Sequence, residues 1–206
     1  MATSGMNGRF SALGMFVEHV GAPTKFEPDP ERFRQVLGHF ASGITVITAI
    51  DDGEPVGFSC QAFAALSLDP PLVLFCPGQT STTWPRIERA GVFCANVLTV
   101  GQGHLATLFG RSNPERFKKV NWVPDSAGSP IIDGVLTWVS CEIEAVHTVG
   151  DHYVVIGRVR ELGQCGPQRP LMFYRGRYGT LAVPIEEGPP EVVETMLAWP
   201  KHADWM

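Results

Sequence analysis

Charge is scarce in this chain: Asp, Glu, Lys and Arg make up 18% of 206 residues, against 44% apolar residues. The few charges leave a net of -5 and a pI near 5.7, which argues against nucleic acid or an anionic membrane surface as the main partner. No C-x-x-C pair occurs. The five cysteines (Cys60, Cys76, Cys94, Cys141, Cys165) are widely spaced and mostly sit in apolar, strand-like runs, so they read as small buried hydrophobes rather than zinc or redox ligands. The N-terminal segment through Pro30 lacks the continuous apolar stretch of a signal peptide or membrane span. These absences predict a cytoplasmic protein in a reducing compartment. The chain is long enough to bury a full core in one domain.

Residues 1–28 are rich in Gly, Ser and Pro without sustained periodicity and read as a flexible arm. Asp29-Pro30 then predicts a helix start, because Asp caps and Pro is tolerated in a first turn; Phe33, Val36, Leu37 and Phe40 follow at helical spacing. From Gly43 the period becomes two. Strands are predicted over Ile44 to Ile50, Val56 to Phe63, Pro71 to Cys76, Val92 to Leu98, Val135 to Val149, Tyr153 to Leu162 and Leu171 to Tyr174. Short helices are predicted over Thr82 to Ala90 and Gln102 to Phe109. Strands follow one another without regular crossover helices, which favours an all-β antiparallel barrel with small helices over a parallel α/β sheet. The domain is placed at 29–181. The tail, 182–206, has a different composition with two tryptophans, and its role stays open.

Two motifs suggest ligand binding, and one of them fails. Gly101-Gln102-Gly103-His104-Leu105-Ala106 matches a G-x-G-x-x-A dinucleotide fingerprint, but the βαβ unit with its second parallel strand is missing downstream. Gly150-Asp151-His152-Tyr153 sits between the two longest alternating runs, so it places an acid and an imidazole at a hairpin bend where a small ligand could meet them. Ser81 and Thr82 precede a predicted helix and read either as caps or as hydroxyls for a phosphate at the helix start. Phe75, Phe93 and Trp138 read as core; His39 and His104 read as solvated. Arg175 and Arg177, near Tyr178, read as contacts for an anionic cofactor tail or as caps of the last strand.

The runs Phe33 to Thr48, Gly57-Phe58-Ser59-Cys60-Gln61-Ala62-Phe63, Ser67-Leu68-Asp69-Pro70-Pro71, Ser81-Thr82-Thr83-Trp84 and the Gly-Asp-His turn, in this order, resemble the short-chain flavin reductase family. The resemblance runs from about Phe33 to Leu181. Val56 to Gln61 and Leu72-Val73-Leu74-Phe75-Cys76-Pro77 look most like family members that serve monooxygenases of steroid breakdown. The resemblance implies a six-stranded split β-barrel, a homodimer, and FMN or FAD in a groove between subunits with NADH as reductant. It places Phe58, Ser59, Cys60 and Gln61 along the ring edge of the flavin and Ser67, Cys76, Pro77, Ser81 and Thr82 around it. Asn96, Val97, Leu98, Phe109, Arg111 and Tyr178 would complete the flavin contacts, and Gly150, Asp151, His152 and Tyr153 would take the nicotinamide side. His152 is the candidate catalytic residue, since an imidazole can gain or lose a proton near neutral pH beside a reduced flavin. The implied activity is NAD(P)H-dependent flavin reduction for a separate oxygenase of a two-component monooxygenase, the partner being reached by diffusing reduced flavin, and the choice between NADH and NADPH stays open. A pyridoxamine-phosphate-oxidase-like flavin oxidase is disfavoured by the lack of a basic cluster; a non-catalytic flavin-binding barrel is the remaining alternative.

Overall fold

The computed structural model of the chain describes residues 29–181. The arm at 1–28 and the tail at 182–206 lie outside the described residues. In chain order the elements are α1 (Pro30–Leu37), β1 (Ser42–Gly43), β2 (Thr45–Asp51), β3 (Glu54–Cys60), β4 (Phe63–Leu68), β5 (Pro71–Phe75) and α2 (Trp84–Ala90). They continue with β6 (Val92–Val97), α3 (Gly103–Phe109), β7 (Trp122–Pro124), β8 (Pro130–Ile132), β9 (Thr137–Val149), β10 (His152–Leu162), β11 (Met172–Tyr174) and β12 (Arg177–Gly179). The main sheet runs β3-β2-β6-β9-β10-β5-β4; β1, β11 and β12 form a small second sheet, and β7 pairs with β8. Every strand pair is antiparallel, which removes the Rossmann reading of Gly101 to Ala106. That segment instead forms a tight helical turn ahead of α3, held by the buried Gln102: its side chain accepts from Thr99 N–H and donates to the Asp133 carbonyl.

The antiparallel β architecture is as expected, with seven strands in the main sheet where six were anticipated. The predicted run Val56 to Phe63 breaks at Gln61-Ala62, where Phe63 N–H bonds back to the Gln61 carbonyl at 3.0 Å, and the chain restarts as β4. Short strands such as β7, β8 and β12 carry too few residues to show a period, so periodicity does not reveal them.

Helix α1 begins as its first residues require. The Asp29 carboxylate accepts from Glu31 N–H at 2.9 Å, and Pro30 stands where a missing N–H costs nothing. None of its residues is buried among the described residues: Phe33, Val36 and Leu37 are 58, 60 and 54% exposed, and Phe40 just beyond is 78% exposed.

Strand β2 is buried on both faces, and this organises the core. Ile47 and Ala49 join Phe75, Trp84, Ile87, Phe93 and Val155 on one side, which α2 closes. Val46 joins Ile44, Leu98, Leu105, Phe109, Ile132 and Leu171 on the other, against α3. A strand alternates its side chains between faces, so adjacent Val46 and Ile47 serve separate cores. The polar members of the strand are satisfied internally: Thr45 donates to the Cys60 carbonyl, and Thr48 donates to the Pro130 carbonyl at 2.5 Å with the Cys94 carbonyl 3.2 Å away. Asn96 on β6 completes this network. Its amide donates to the Val46 and Pro130 carbonyls at 3.2 and 3.1 Å and to Thr48 Oγ1 at 3.0 Å, while its Oδ1 accepts from Ile132 N–H at 2.8 Å.

Asn96, 0% exposed, is therefore a latch that pins the β8 hairpin onto the sheet. Asn96→Ala leaves a buried N–H and several carbonyls without partners, and each orphaned group costs about 1–3 kcal/mol. Urea unfolding of the variant is expected to show a loss of about 2–3 kcal/mol; a loss below about 0.5 kcal/mol would remove the latch.

Candidate functional site

The free edge of β3 and the tip of the β9–β10 hairpin approach each other across the loop that follows β5. Between them lies a cleft of about 330 Å³ lined by Phe58, Ser59, Cys60, Gln61, Ala62, Cys76, Pro77, Gly78, Ser81 and His152. Eight of these were sequence candidates; Ala62 and Gly78 were not. The volume sits at the lower end of the range for small-molecule sites.

Hydrogen bonds hold the hairpin tip to the loop after β5. Tyr153 N–H donates to the Pro77 carbonyl and Gln79 N–H to the Asp151 carbonyl, both at 2.9 Å, and the Gln79 side-chain amide donates to the Gly150 carbonyl at 3.0 Å. Gly150 carries a φ of 60°, the left-handed turn conformation that glycine adopts without strain. The tip can thus turn tightly and still present its carbonyls to Gln79. Sequence reasoning missed Gln79 because it contributes no recognisable chemistry, only two bonds that fix the wall.

His152 points into the cleft, and Tyr153 does not. Successive residues of β10 face opposite sides, so Tyr153 turns inward against Trp84 at 6.0 Å between ring centroids while His152 stays at the rim. His152 Nδ1 lies 2.7 Å from Asp151 Oδ1, and its Nε2 lies on the Gly78 side, 3.7 Å from where a Gly78 Cβ would stand. The carboxylate therefore engages one ring nitrogen and leaves the other toward the cleft. That same contact with His152 holds the Asp151 carboxyl below its usual range.

The β3 wall supplies main chain. β3 pairs only with β2, so its outer edge keeps backbone groups free of the ladder. The Gly57 carbonyl faces that edge, where Arg116 donates to it, and alternation places the N–H and carbonyl of Ser59 on the same side. The Ser59 hydroxyl is committed elsewhere, donating to the Ala106 carbonyl of α3 at 2.7 Å. Phe58 gives an apolar surface backed by Phe75 at 6.2 Å. Cys60 is no nucleophile, since burial pushes its thiol up to about 11; burial also raises Cys76.

Several expected contacts belong to other parts of the fold. Asn96 is the buried latch, and Leu98 and Phe109 are 0 and 1% exposed in the second core, so their side chains face away from any ligand. Half-buried Val97 pairs with Thr45 and Thr137 within the sheet. Ser67 sits at a bulge of β4 opposite Leu72; Arg111 is exposed beyond α3, and Tyr178 packs on Phe173 at 5.6 Å. None of the four lines the cleft. Trp138 was read as core but stands half-buried beside a groove shared with Trp122.

The helix-start phosphate reading also needs correction. α2 begins at Trp84, two residues later than expected; Trp84 N–H already bonds Ser81 Oγ at 3.1 Å, Pro85 has no N–H, and Arg86 N–H bonds the Thr83 carbonyl. The first N–H groups of the helix are spoken for. The hydroxyl hydrogens of Ser81 and Thr82 remain as the donors there.

An antiparallel β domain with a small cleft between a free strand edge and an Asp-His hairpin tip defines a ligand-binding protein suited to a flat polar ring. Over residues 37–182 the sequence matches the flavin reductase like domain. The flavin-dependent monooxygenase reductase subunit HsaB of Rhodococcus jostii is 54% identical over 150 residues, 73% of this chain and 77% of that protein. The nitrilotriacetate monooxygenase component B homologue from Mycobacterium thermoresistibile superposes with a TM-score of 0.73 at 48% identity, over 78% of this chain and 89% of that one. The NADH:FAD oxidoreductase SgcE6 of Streptomyces globisporus, solved with NAD and FAD fragments, gives 0.73 at 31% identity over 78% of this chain and 98% of that one. The chain belongs to the flavin reductase like family.

Proposed function

We propose that this protein is an NADH-dependent flavin reductase that supplies reduced FMN or FAD to a separate oxygenase. The observation that carries the reading is the cleft itself: the β3 edge, the Cys76 to Ser81 loop and His152, far apart in sequence, line one opening. Its donors fit a flavin. A strand edge offers alternating N–H and carbonyl groups to a pyrimidine edge, Phe58 offers an apolar face, and the Ser81 hydroxyl supports a phosphate contact, while Thr82 lines the adjoining cleft. Flavin and nicotinamide, when bound together, would supply the redox chemistry of hydride transfer. The chain's own part is to hold the two rings in register and exclude water. His152, fixed through Asp151, lines the opening and orients the nicotinamide side by its free Nε2.

The HsaB relatives point the same way: each is the reductase subunit of a flavin-dependent monooxygenase. We read the oxygenase served here as acting on an aromatic or steroid-derived ring, with reduced flavin crossing by diffusion. Five free cysteines are consistent with a reducing, cytoplasmic setting. A homodimer is supported by the exposed apolar side chains of Phe33, Val36 and Leu37 on α1 and of Phe40 just beyond it. Sedimentation equilibrium is expected at twice the 22.5 kDa chain mass; a monomer at micromolar concentration would count against it.

Under air, the protein with FMN or FAD is expected to oxidise NADH over many turnovers, because released reduced flavin reoxidises. With a flavin-dependent oxygenase behind a membrane permeable only to flavin, hydroxylated product is still expected. Unchanged NADH absorbance with both flavins would sink the reductase reading, and an absolute need for contact would sink the diffusive hand-over.

His152→Ala is expected to raise the KM for NADH or slow flavin reduction by about tenfold, with flavin Kd within about twofold of the parent protein. Stopped-flow reduction and flavin titration separate these quantities. Equal loss of flavin affinity would move His152 to the flavin side.

A further inference from the structure

The tip of the β9–β10 hairpin forms one wall of the cleft without a buried side chain of its own. Residues 147–152 are all exposed, and the first buried residue of β10 is Val155. Inward packing begins at Tyr153, whose ring meets Trp84. Beyond that ring, the Gly150-Asp151 turn and His152 are placed by hydrogen bonds rather than by a core.

Gln79 supplies the bonds that reach the turn itself. Its main-chain N–H donates to the Asp151 carbonyl at 2.9 Å, and its side-chain Nε2 donates to the Gly150 carbonyl at 3.0 Å. Adjacent carbonyls of the tip are therefore gripped by one residue. Because hydrogen bonds are directional, this double grip fixes the tilt of the turn, where a single bond would let it pivot. Gln79 is set in place by a turn of its own, closed by Ser81 N–H on the Gly78 carbonyl at 3.0 Å.

The grip bears directly on His152. The residue whose carbonyl Gln79 takes, Asp151, is also the one whose carboxylate lies 2.7 Å from His152 Nδ1, so the main-chain position that Gln79 fixes is the one from which the imidazole is aimed. Gly78, bridged to His152 across the strand edge, leaves the other ring nitrogen uncovered: a Cβ there would stand 3.7 Å from Nε2. Gln79 itself does not line the cleft.

We propose that Gln79 is a positioning residue for the nicotinamide side of the pocket: by gripping Gly150 and Asp151 it sets the angle at which His152 presents Nε2, and through His152 it governs NADH binding without touching either ring. The inference rests on the reading of the cleft as a flavin and nicotinamide site. Gln79 is exposed, so replacing it leaves no buried group without a partner and the fold is expected to survive.

Gln79→Ala is expected to raise the KM for NADH about fivefold, the effect of one lost hydrogen bond, with flavin Kd within about twofold of the parent protein. Gln79→Glu keeps the shape but turns a carboxylate toward the tip carbonyls in place of a donor, and is expected to do at least as much. A double-mutant cycle separates positioning from independent binding: in a His152→Ala background, Gln79→Ala is expected to change kcat/KM for NADH by less than about twofold, because nothing is left to position. Amide hydrogen exchange at Tyr153, whose N–H meets the Pro77 carbonyl beside the grip, is expected to quicken about fivefold in Gln79→Ala.

The proposal is overturned if folded Gln79→Ala and Gln79→Glu leave the KM for NADH unchanged, if flavin Kd rises in step with it, or if the two effects in the cycle simply multiply. Loss of the fold in both variants would make Gln79 a structural residue and overturn it as well. Should the parent protein oxidise no NADH with either flavin, the reductase reading falls, and exchange at Tyr153 then decides the grip: quickened exchange in Gln79→Ala keeps it, parent-like exchange removes it.

Discussion

The two-sided burial of β2 is the constraint on which the rest of the domain depends. A strand with Val46 in one core and Ile47 in the other cannot slip by a residue without exchanging both cores, so its register with β3 and β6 is fixed. β3 inherits that register on one side and is left open on the other. The position of the free edge, and of both clefts along it, follows from packing several ångströms away. Asn96 and Thr48 serve the same end, since they tie β2 and β6 to the β8 hairpin through bonds that no apolar pair could replace.

The site is assembled from pieces that are rigid for separate reasons. The hairpin tip is short and held by Gln79; the β3 edge is backed by the first core through Phe58 and Phe75; the loop between them is closed by Pro77 and Cys76 backbone bonds. Little catalytic equipment is present. Cys60 and Cys76 are neutral thiols, and the Asp151 carboxylate serves His152. That economy suits a reaction in which bound cofactors carry the electrons and the protein supplies alignment.

Charge is distributed sparingly but unevenly. Asp51 gathers Arg86 and Arg89 against the end of α2, and these guanidinium groups, Arg86 foremost, hold its carboxyl below the usual range. Glu144 pairs with Arg158, and Glu142 with Arg160, across β9 and β10. Against this background of matched pairs, Arg116 stands out as a cation whose contacts are all neutral.

The sequence by itself determined the antiparallel β class, the Asp29-Pro30 helix start, the two long strands and the hairpin bend between them, because each is written in local periodicity or turn chemistry. It also determined the family, through ordered runs around Phe58, Ser67, Ser81 and Gly150. Only the tertiary structure decided which of those residues meet in the cleft. Asn96, Leu98 and Phe109 went to the interior while Gly78 and His152 went to the cleft, and Tyr153 turned inward beside them. Which face a strand residue takes depends on its parity relative to the packed core, and whether a cation is paired depends on partners distant in sequence; neither quantity is local.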